Sequence, residues 1–358
     1  MKKIISILLL SFLNVCLVLS FAGCEKNDEK KANGKTLSKE ISFSYFNTAS
    51  SISSYGDTSN EKFEEYVKIA DKTLGRYHKL FDIYYEYSGI NNIKTINKNA
   101  GVAPVKVDRE LVDFLLYCKE LYALTNGKTN VMLGSVLKIW HDAREDASDN
   151  YGYLEPEALP GTEELASANM HTSIDLLIIN EAECEVYISD PLASLDVGAV
   201  AKGYAVEILY EKLKSEGADS LALNVGGNIR TIGLKPADER WITGITNPDR
   251  NAESSIKCRI KIGDSSIVTS GDYERYFVVG EKKYHHIIDS QTLMPADYFS
   301  SVTIVTKDSG FADALSTALF CMSYEEGVDF VKSLEGVDVI WIFKDGRLEH
   351  TEGITFAN

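Results

Sequence analysis

From residue 174 onward the chain is written as short apolar runs separated by turn residues, and this pattern limits the folds open to it more than any other feature. The runs that read as strands are 174–179, 186–188, 221–225, 229–232, 241–246, 256–262, 267–269, 276–279 and 301–306. Helical periodicity interrupts them near 199–215 and 311–322, and again at 324–334 before a last apolar strand, 337–343, and the turn Lys344-Asp345-Gly346. Strands at hairpin spacing pair antiparallel, whereas a regular alternation of helix and strand would build a parallel sheet. The pattern therefore predicts an α+β fold with mixed or antiparallel sheets and interspersed helices.

The first half carries more helix. Residues 41–57 alternate apolar and small polar side chains, a strand ending in a turn. Phe63, Val67, Ala70, Leu74 and Tyr77 then recur at steps of three and four, as one face of a helix requires. A second helix is N-capped by Asp108, buries Leu111, Phe114, Leu115, Cys118, Leu121 and Tyr122, and stops at Gly127. Residues 142–170 are acidic and polar with Pro156 and Pro160, and read as an excursion on the surface.

The N-terminus is of another kind. Lys2 and Lys3 precede an apolar stretch, 4–22, nearly long enough to span a bilayer. It ends in Phe21-Ala22-Gly23-Cys24, small residues before a cysteine, which resembles the bacterial lipobox, where the leader is cut and the cysteine acylated. Residues 1–23 are then a lipoprotein signal peptide and Cys24 the lipidation site. Each buried CH₂ of an acyl chain contributes about 0.8 kcal/mol, so two chains hold a protein on a membrane. Residues 24–40 form a polar tether, with a mean reach of roughly 20–25 Å, which keeps a catalytic domain at 41–358 close to the extracytoplasmic face of a bacterial membrane.

Loss of the leader removes two lysines and no acid, taking the formal net charge from -16 to -18. With no long basic run, nucleic-acid binding is excluded, and an anionic small ligand needs local help from metal, helix ends or a few lysines. Outside the leader and Cys24, the remaining cysteines, Cys118, Cys184, Cys258 and Cys321, are widely spaced in apolar contexts. They read as buried free thiols, with a disulfide as the alternative, and no C-x-x-C pair suggests zinc.

The chemistry-bearing segments are each ambiguous alone. In Ser194-Leu195-Asp196-Val197-Gly198-Ala199-Val200-Ala201-Lys202-Gly203 an acid precedes small residues that open a helix, with a lysine in its first turns. Such a start either cradles a phosphate or simply packs closely. Asp313 and Thr317 are four apart on one helix face, where they either direct oxygens at a hard cation such as Mg²⁺ or serve the helix dipole. In Tyr284-His285-His286-Ile287 alternation puts the two histidines on opposite strand faces, so at most one serves a given site as base. Gly226-Gly227 and Thr269-Ser270-Gly271-Asp272 read as hairpin connections.

In order, however, LDVGAVAKGYAVE, NVGGNIRTIG, VTSGDYERYF, HHIIDSQTLMP and SVTIVTKDSGFADALSTALF resemble the ApbE-type FAD:protein FMN transferases, from about Phe43 to near the C-terminus. The resemblance implies an ApbE-like fold and an enzyme that binds FAD and Mg²⁺. It would transfer FMN to a Thr or Ser hydroxyl of an exported or membrane redox protein as a phosphoester, releasing AMP. It further implies FAD contacts at Asp196, Lys202 and Ile287, with Tyr84 beside the cofactor. The metal would take the Ala199 backbone carbonyl and the Asp313 and Thr317 side chains, and His286 would activate the acceptor hydroxyl. Lys128, Thr129 and Asn130 fall where a further FAD-contacting motif lies, with Asn130 in place of its usual acid. Phe46-Asn47-Thr48 stands for an early M-G-T-like motif. Competing expectations are an FAD pyrophosphatase giving FMN and AMP, and a membrane-tethered flavin-binding lipoprotein without turnover.

Overall fold

A computed structural model describes residues 39–56 and 58–357, so the leader, Cys24, most of the tether and Asp57 lie outside the described residues. The alternating segment 41–57 is a hairpin: β1 (Lys39–Tyr45) and β2 (Thr48–Ser54) meet through Phe46 and Asn47, whose φ values are 54° and 53°. Two successive left-handed residues match a two-residue turn whose twist suits the flanking strands. A period of two reads alike along one strand or two, so alternation carried no mark of the reversal.

The chain continues through α1 (Asn60–Phe81), α2 (Ile93–Lys98), β3 (Val105–Lys106), α3 (Arg109–Leu124), α4 (Gly134–Asp149), α5 (Thr162–Asn169), β4 (Leu177–Asn180) and β5 (Glu185–Ile188). Then come α6 (Ala201–Ser215), β6 (Ser220–Val225), β7 (Asn228–Gly233), β8 (Trp241–Thr246), β9 (Ile256–Ile262), β10 (Ser266–Gly271), β11 (Tyr276–Val279) and β12 (Lys282–His285). β13 (Phe299–Thr306), α7 (Ser309–Phe320), α8 (Tyr324–Lys332), β14 (Asp338–Phe343) and β15 (Leu348–His350) complete it. An eight-stranded sheet runs β1-β2-β6-β7-β10-β13-β14-β15, with every neighbouring pair antiparallel. β3-β5-β4, β8-β9 and β11-β12 form smaller sheets. The fold is α+β, as the strand spacing predicts.

Four apolar cores set the layers, one of them joining Trp241 and Ile260 of β8 and β9 to Ile267 and Ile340 of the large sheet. α1, α3 and α6 pack around Leu74, Phe114 and Leu209 with Ile52 and Leu223 of the large sheet. α7 buries Leu315 and Phe320 against Phe299, Ile304 and Trp341 of β13 and β14. α4 lays Trp140 on Phe277 of the β11–β12 hairpin. α7 is buried nearly all round, which is how a helix in the middle of a fold behaves, and any polar group on it must find a partner inside.

Several expectations need correcting. Residues 142–170 are not one excursion: 142–149 finish α4, and α5 buries Leu165. Apolar residues at Val136, Trp140, Ala143 and Ala147 hold helical spacing, which the surrounding acids concealed. Residues 174–176 form a 3-10 turn before β4. Thr269-Ser270-Gly271 is not a turn but the end of β10, paired with β13, whereas Gly226-Gly227, both at positive φ, does join β6 to β7. Cys118 and Cys321 are buried; Cys184 and Cys258 are only partly so, and all four are free.

Candidate active site

The centre of the site is the crossing of α6 and α7, and Gly203 makes that crossing possible. A Cβ on Gly203 would lie 2.5 Å from Asp313 Cβ and 2.9 Å from the Ser309 carbonyl carbon, inside ordinary contact distance. With no side chain in the way, the Gly203 N–H donates to Asp313 Oδ2 at 2.8 Å, and Lys202 Nζ stands 3.8 Å from the same oxygen. Gly203 is the third residue of α6, where an N–H has no acceptor within the helix, and Asp313 supplies one. The Ala199 carbonyl, just ahead of the helix, has no backbone donor among the described residues. Thr317, one turn beyond Asp313 on α7, is half-buried. One buried carboxylate, one carbonyl and one hydroxyl are hard oxygen donors, and a site of this make-up fits Mg²⁺ rather than a metal that prefers nitrogen or sulfur.

A second network holds the two helices in register. Glu207 on α6 accepts the Ser309 N–H at the start of α7, 2.8 Å away. Its carboxylate pairs with Arg230 on β7 (3.2 Å), which also binds Asp264 (2.6 Å). Burial pushes the Asp313 carboxyl above the ordinary carboxylate range, opposed by Lys202, the Gly203 N–H and the nearby Asn228 carboxamide. Asn228 Nδ2 itself is buried without a partner in good hydrogen-bond geometry. A cation at Asp313 would favour the ionised form that burial disfavours.

The histidines do separate, though not as two faces of one strand. His285 ends β12 and is buried; its Nδ1 accepts the Ile287 N–H (3.2 Å), so its Nε2 donates to the Ala296 carbonyl (2.7 Å). His286 lies just past the strand, half-buried, its N–H donating to the Arg275 carbonyl at 3.0 Å. His286 Nδ1 is enclosed and unpartnered. Burial first, then the charges of Arg275, His285, Arg144 and Lys202, hold its pKa well below the usual imidazole value. A base must be neutral before it can accept a proton, and this surrounding keeps His286 so at neutral pH.

The other anticipated contacts scatter around this centre. Asp196 accepts the Gly198 N–H (2.9 Å) instead of capping the helix, and α6 begins only at Ala201. Its second oxygen faces His141 at 3.9 Å. Asp196 N donates to Val131 (2.8 Å), which draws the 128–132 segment alongside. Asn130 is tied to Met132 N (2.9 Å) and to the Thr172 carbonyl (2.9 Å). Thr129 is buried with its hydroxyl on the Ala314 carbonyl (2.8 Å). Lys128 is engaged with Asp289 at 3.1 Å in a pair almost closed to solvent. Ile287 is packed in the α7 core, its carbonyl accepting from Ala296. Tyr84 is exposed, and its phenol feels Asp196, Arg144 and Arg275 after the effect of burial. Cys24 lies outside the described residues.

His141, Arg144, Asp289 and Arg275 also belong to this neighbourhood, and sequence reasoning did not find them. For the first two a signal existed: Trp140, His141 and Arg144 follow the apolar period of α4. Asp289 and Arg275 sit in the recognisable segments HHIIDSQTLMP and VTSGDYERYF, but nothing in their spacing announced a role.

Comparison with known proteins gives one consistent result. A model of the ApbE family matches residues 46–341. A FAD:protein FMN transferase of Treponema pallidum is 32% identical over 276 residues, covering 73% of this chain and 73% of that protein. One from Klebsiella pneumoniae is 30% identical over 256 residues, 71% of this chain and 76% of the relative. The solved ApbE protein of Thermotoga maritima superposes with a TM-score of 0.75 at 27% identity, covering 88% of this chain and 97% of that one.

Proposed function

Because this chain belongs to the ApbE family, we propose that it moves FMN from FAD to a threonine or serine hydroxyl of an acceptor protein, with Mg²⁺ as cofactor and AMP as the product released. It is an FAD:protein FMN transferase, the activity its relatives carry by name. The observation that supports the finer reading is the oxygen set at the α6–α7 crossing, where buried Asp313 takes the Gly203 N–H and the Ala199 carbonyl, just ahead of α6, has no backbone donor among the described residues.

Bound there, Mg²⁺ would neutralise the pyrophosphate and stabilise charge gained at phosphorus. The remaining work falls to side chains. Lys202 directs its charge at the phosphates from the first turn of α6. His286, kept neutral, takes the proton of the acceptor hydroxyl as oxygen attacks the FMN phosphorus; a positioned base contributes about 10²–10⁴-fold. Tyr84 lies against the cofactor, with Asp196, Ile287 and the 128–130 segment as further FAD contacts. Residues 41–358 are the catalytic domain. After removal of 1–23, lipidated Cys24 and the tether to residue 40 hold it at the outer membrane surface, within reach of exported or membrane redox acceptors.

The test is to incubate the mature protein with FAD, Mg²⁺ and exported flavoprotein domains, and to look for a mass increase equal to FMN on the acceptor. Asp313→Ala should abolish the shift and weaken Mg²⁺ binding while leaving the fold intact. Free FMN and AMP with no labelled acceptor would mean hydrolysis instead, and full transfer in excess chelator would sink the metal assignment.

A further inference from the structure

Arginine in this protein is mostly engaged by acid. Arg76 pairs with Asp108 and Glu110, Arg109 with Asp113, Arg230 with Glu207 and Asp264, and Arg347 with Glu349. That is unsurprising in a chain with 53 acids against 37 lysines and arginines. Arg144 and Arg275 depart from this, as do Arg240 and Arg259: among the described residues none of these four guanidinium groups has a hydrogen-bond, ion-pair or aromatic partner. Of the four, Arg144 is half-buried where the others are exposed, and Arg144 and Arg275 are the two whose charges act on His286.

They reach one place from separate elements. Trp140 on α4 stacks on Tyr284 (6.0 Å between ring centres) and lies 6.4 Å from Phe277. Arg144 follows Trp140 by one helical turn, and Arg275 sits in the bend just before β11, two residues ahead of Phe277. The packing of α4 on the β11–β12 hairpin thus carries both toward the same end. Arg275 is joined there to His286 through its backbone carbonyl. The Arg144 guanidinium is held below its ordinary pKa by burial first and by the like charge of Arg275 next, with Tyr84, Glu145 and Asp196 acting the other way. Two guanidinium groups near each other, one of them partly desolvated and both unpaired, are unfavourable until an anion joins them.

We propose that Arg144 and Arg275 form a two-arginine seat for the phosphate oxygens of the flavin nucleotide beside His286. The inference rests on the transferase reading above and adds residues to that site. Guanidinium forks match phosphate oxygens two at a time and stay charged at any working pH. Placed next to the proposed base, they would hold the FMN phosphoryl group together with Lys202 and the oxygen set of α6 and α7.

The test is the affinity of the full chain, in detergent with Mg²⁺, for FMN and for riboflavin, which share the ring and differ by one phosphate. Wild type should prefer FMN. Arg144→Met and Arg275→Met should each lower that preference by about 10-fold, the worth of a charge-assisted hydrogen bond, while riboflavin binding is unchanged. Arg→Lys at either position should recover part of it. Melting of the ligand-free Arg144→Met protein should be unchanged or raised, since a repulsion is removed. Equal losses for both ligands would mean ring contact, and unchanged ligands with a raised acceptor KM would mean a seat for the acceptor. Either result, or a lowered melting temperature with the preference intact, overturns the proposal. If wild type transfers FMN but the preference survives both substitutions, this inference alone fails. If wild type neither binds FAD nor transfers FMN, the transferase reading fails with it.

Discussion

Replacing Gly203 with alanine should separate activity from stability in this protein. Helix propensity favours alanine over glycine by about 1 kcal/mol. Against that, the new methyl would lie 2.5 Å from Asp313 Cβ and also crowd the Ser309 carbonyl group. Ordinary carbon–carbon contact needs about 3.5 Å or more, so α6 and α7 must part by about 1 Å. Overpacking of this kind costs about 1–3 kcal/mol, leaving a net destabilisation of roughly 0–2 kcal/mol, a shift of a few degrees in melting. The same displacement breaks the 2.8 Å bond from Gly203 N–H to Asp313 and shifts the carboxylate relative to the start of α6. Misplacement by 1 Å at a reacting centre costs about 10²-fold. FMN transfer measured across a Mg²⁺ titration, beside a thermal melt, should therefore show about a hundredfold loss and a raised Mg²⁺ requirement in a folded protein. Transfer within a few-fold of wild type at the same Mg²⁺ would refute the argument that this close crossing positions the site.

Other outcomes follow from the same geometry. His286→Ala should keep FAD and Mg²⁺ binding and lose most transfer, whereas His285→Ala should lose stability first, because His285 ties β12 to Ala296; wild-type transfer by His286→Ala would assign the base elsewhere. With the His286 pKa depressed by burial and by Arg275, His285, Arg144 and Lys202, protonation, and with it loss of kcat/KM, should come only as pH falls well below 6.5, and an acid limb at or above 6.5 would contradict this. Lys128→Met should cost about 3–5 kcal/mol by stranding the buried Asp289 carboxylate, and Lys128→Met with Asp289→Leu should recover much of that in a denaturant melt; no recovery would show that the pair is not the cause. Cys24→Ala should stop processing or release the protein from membranes, and a mature, membrane-bound form of that variant would count against the lipid anchor.

How far the chain could be read alone differs by element. Hairpin-spaced apolar runs specified the α+β class because antiparallel pairing is local, and β8, β9 and β11 occur where their side chains alternate. The order of the motifs was enough to identify the family, since close backbone approach and metal-binding oxygens demand particular residues at particular spacings. Asp313 and Thr317 are legible as a pair because residues four apart share one face of a helix. What the sequence could not contain is the partner of each segment. That the Gly203 N–H finds its acceptor in Asp313, 110 positions away, depends on how two helices cross. That Lys128 pairs with Asp289 depends on a contact spanning 161 positions. The unpaired state of Arg144 and Arg275 exists only once α4 lies on the β11–β12 hairpin, for local periodicity determines which face of a helix is apolar, and the charges left without a counterion are determined by everything that face meets.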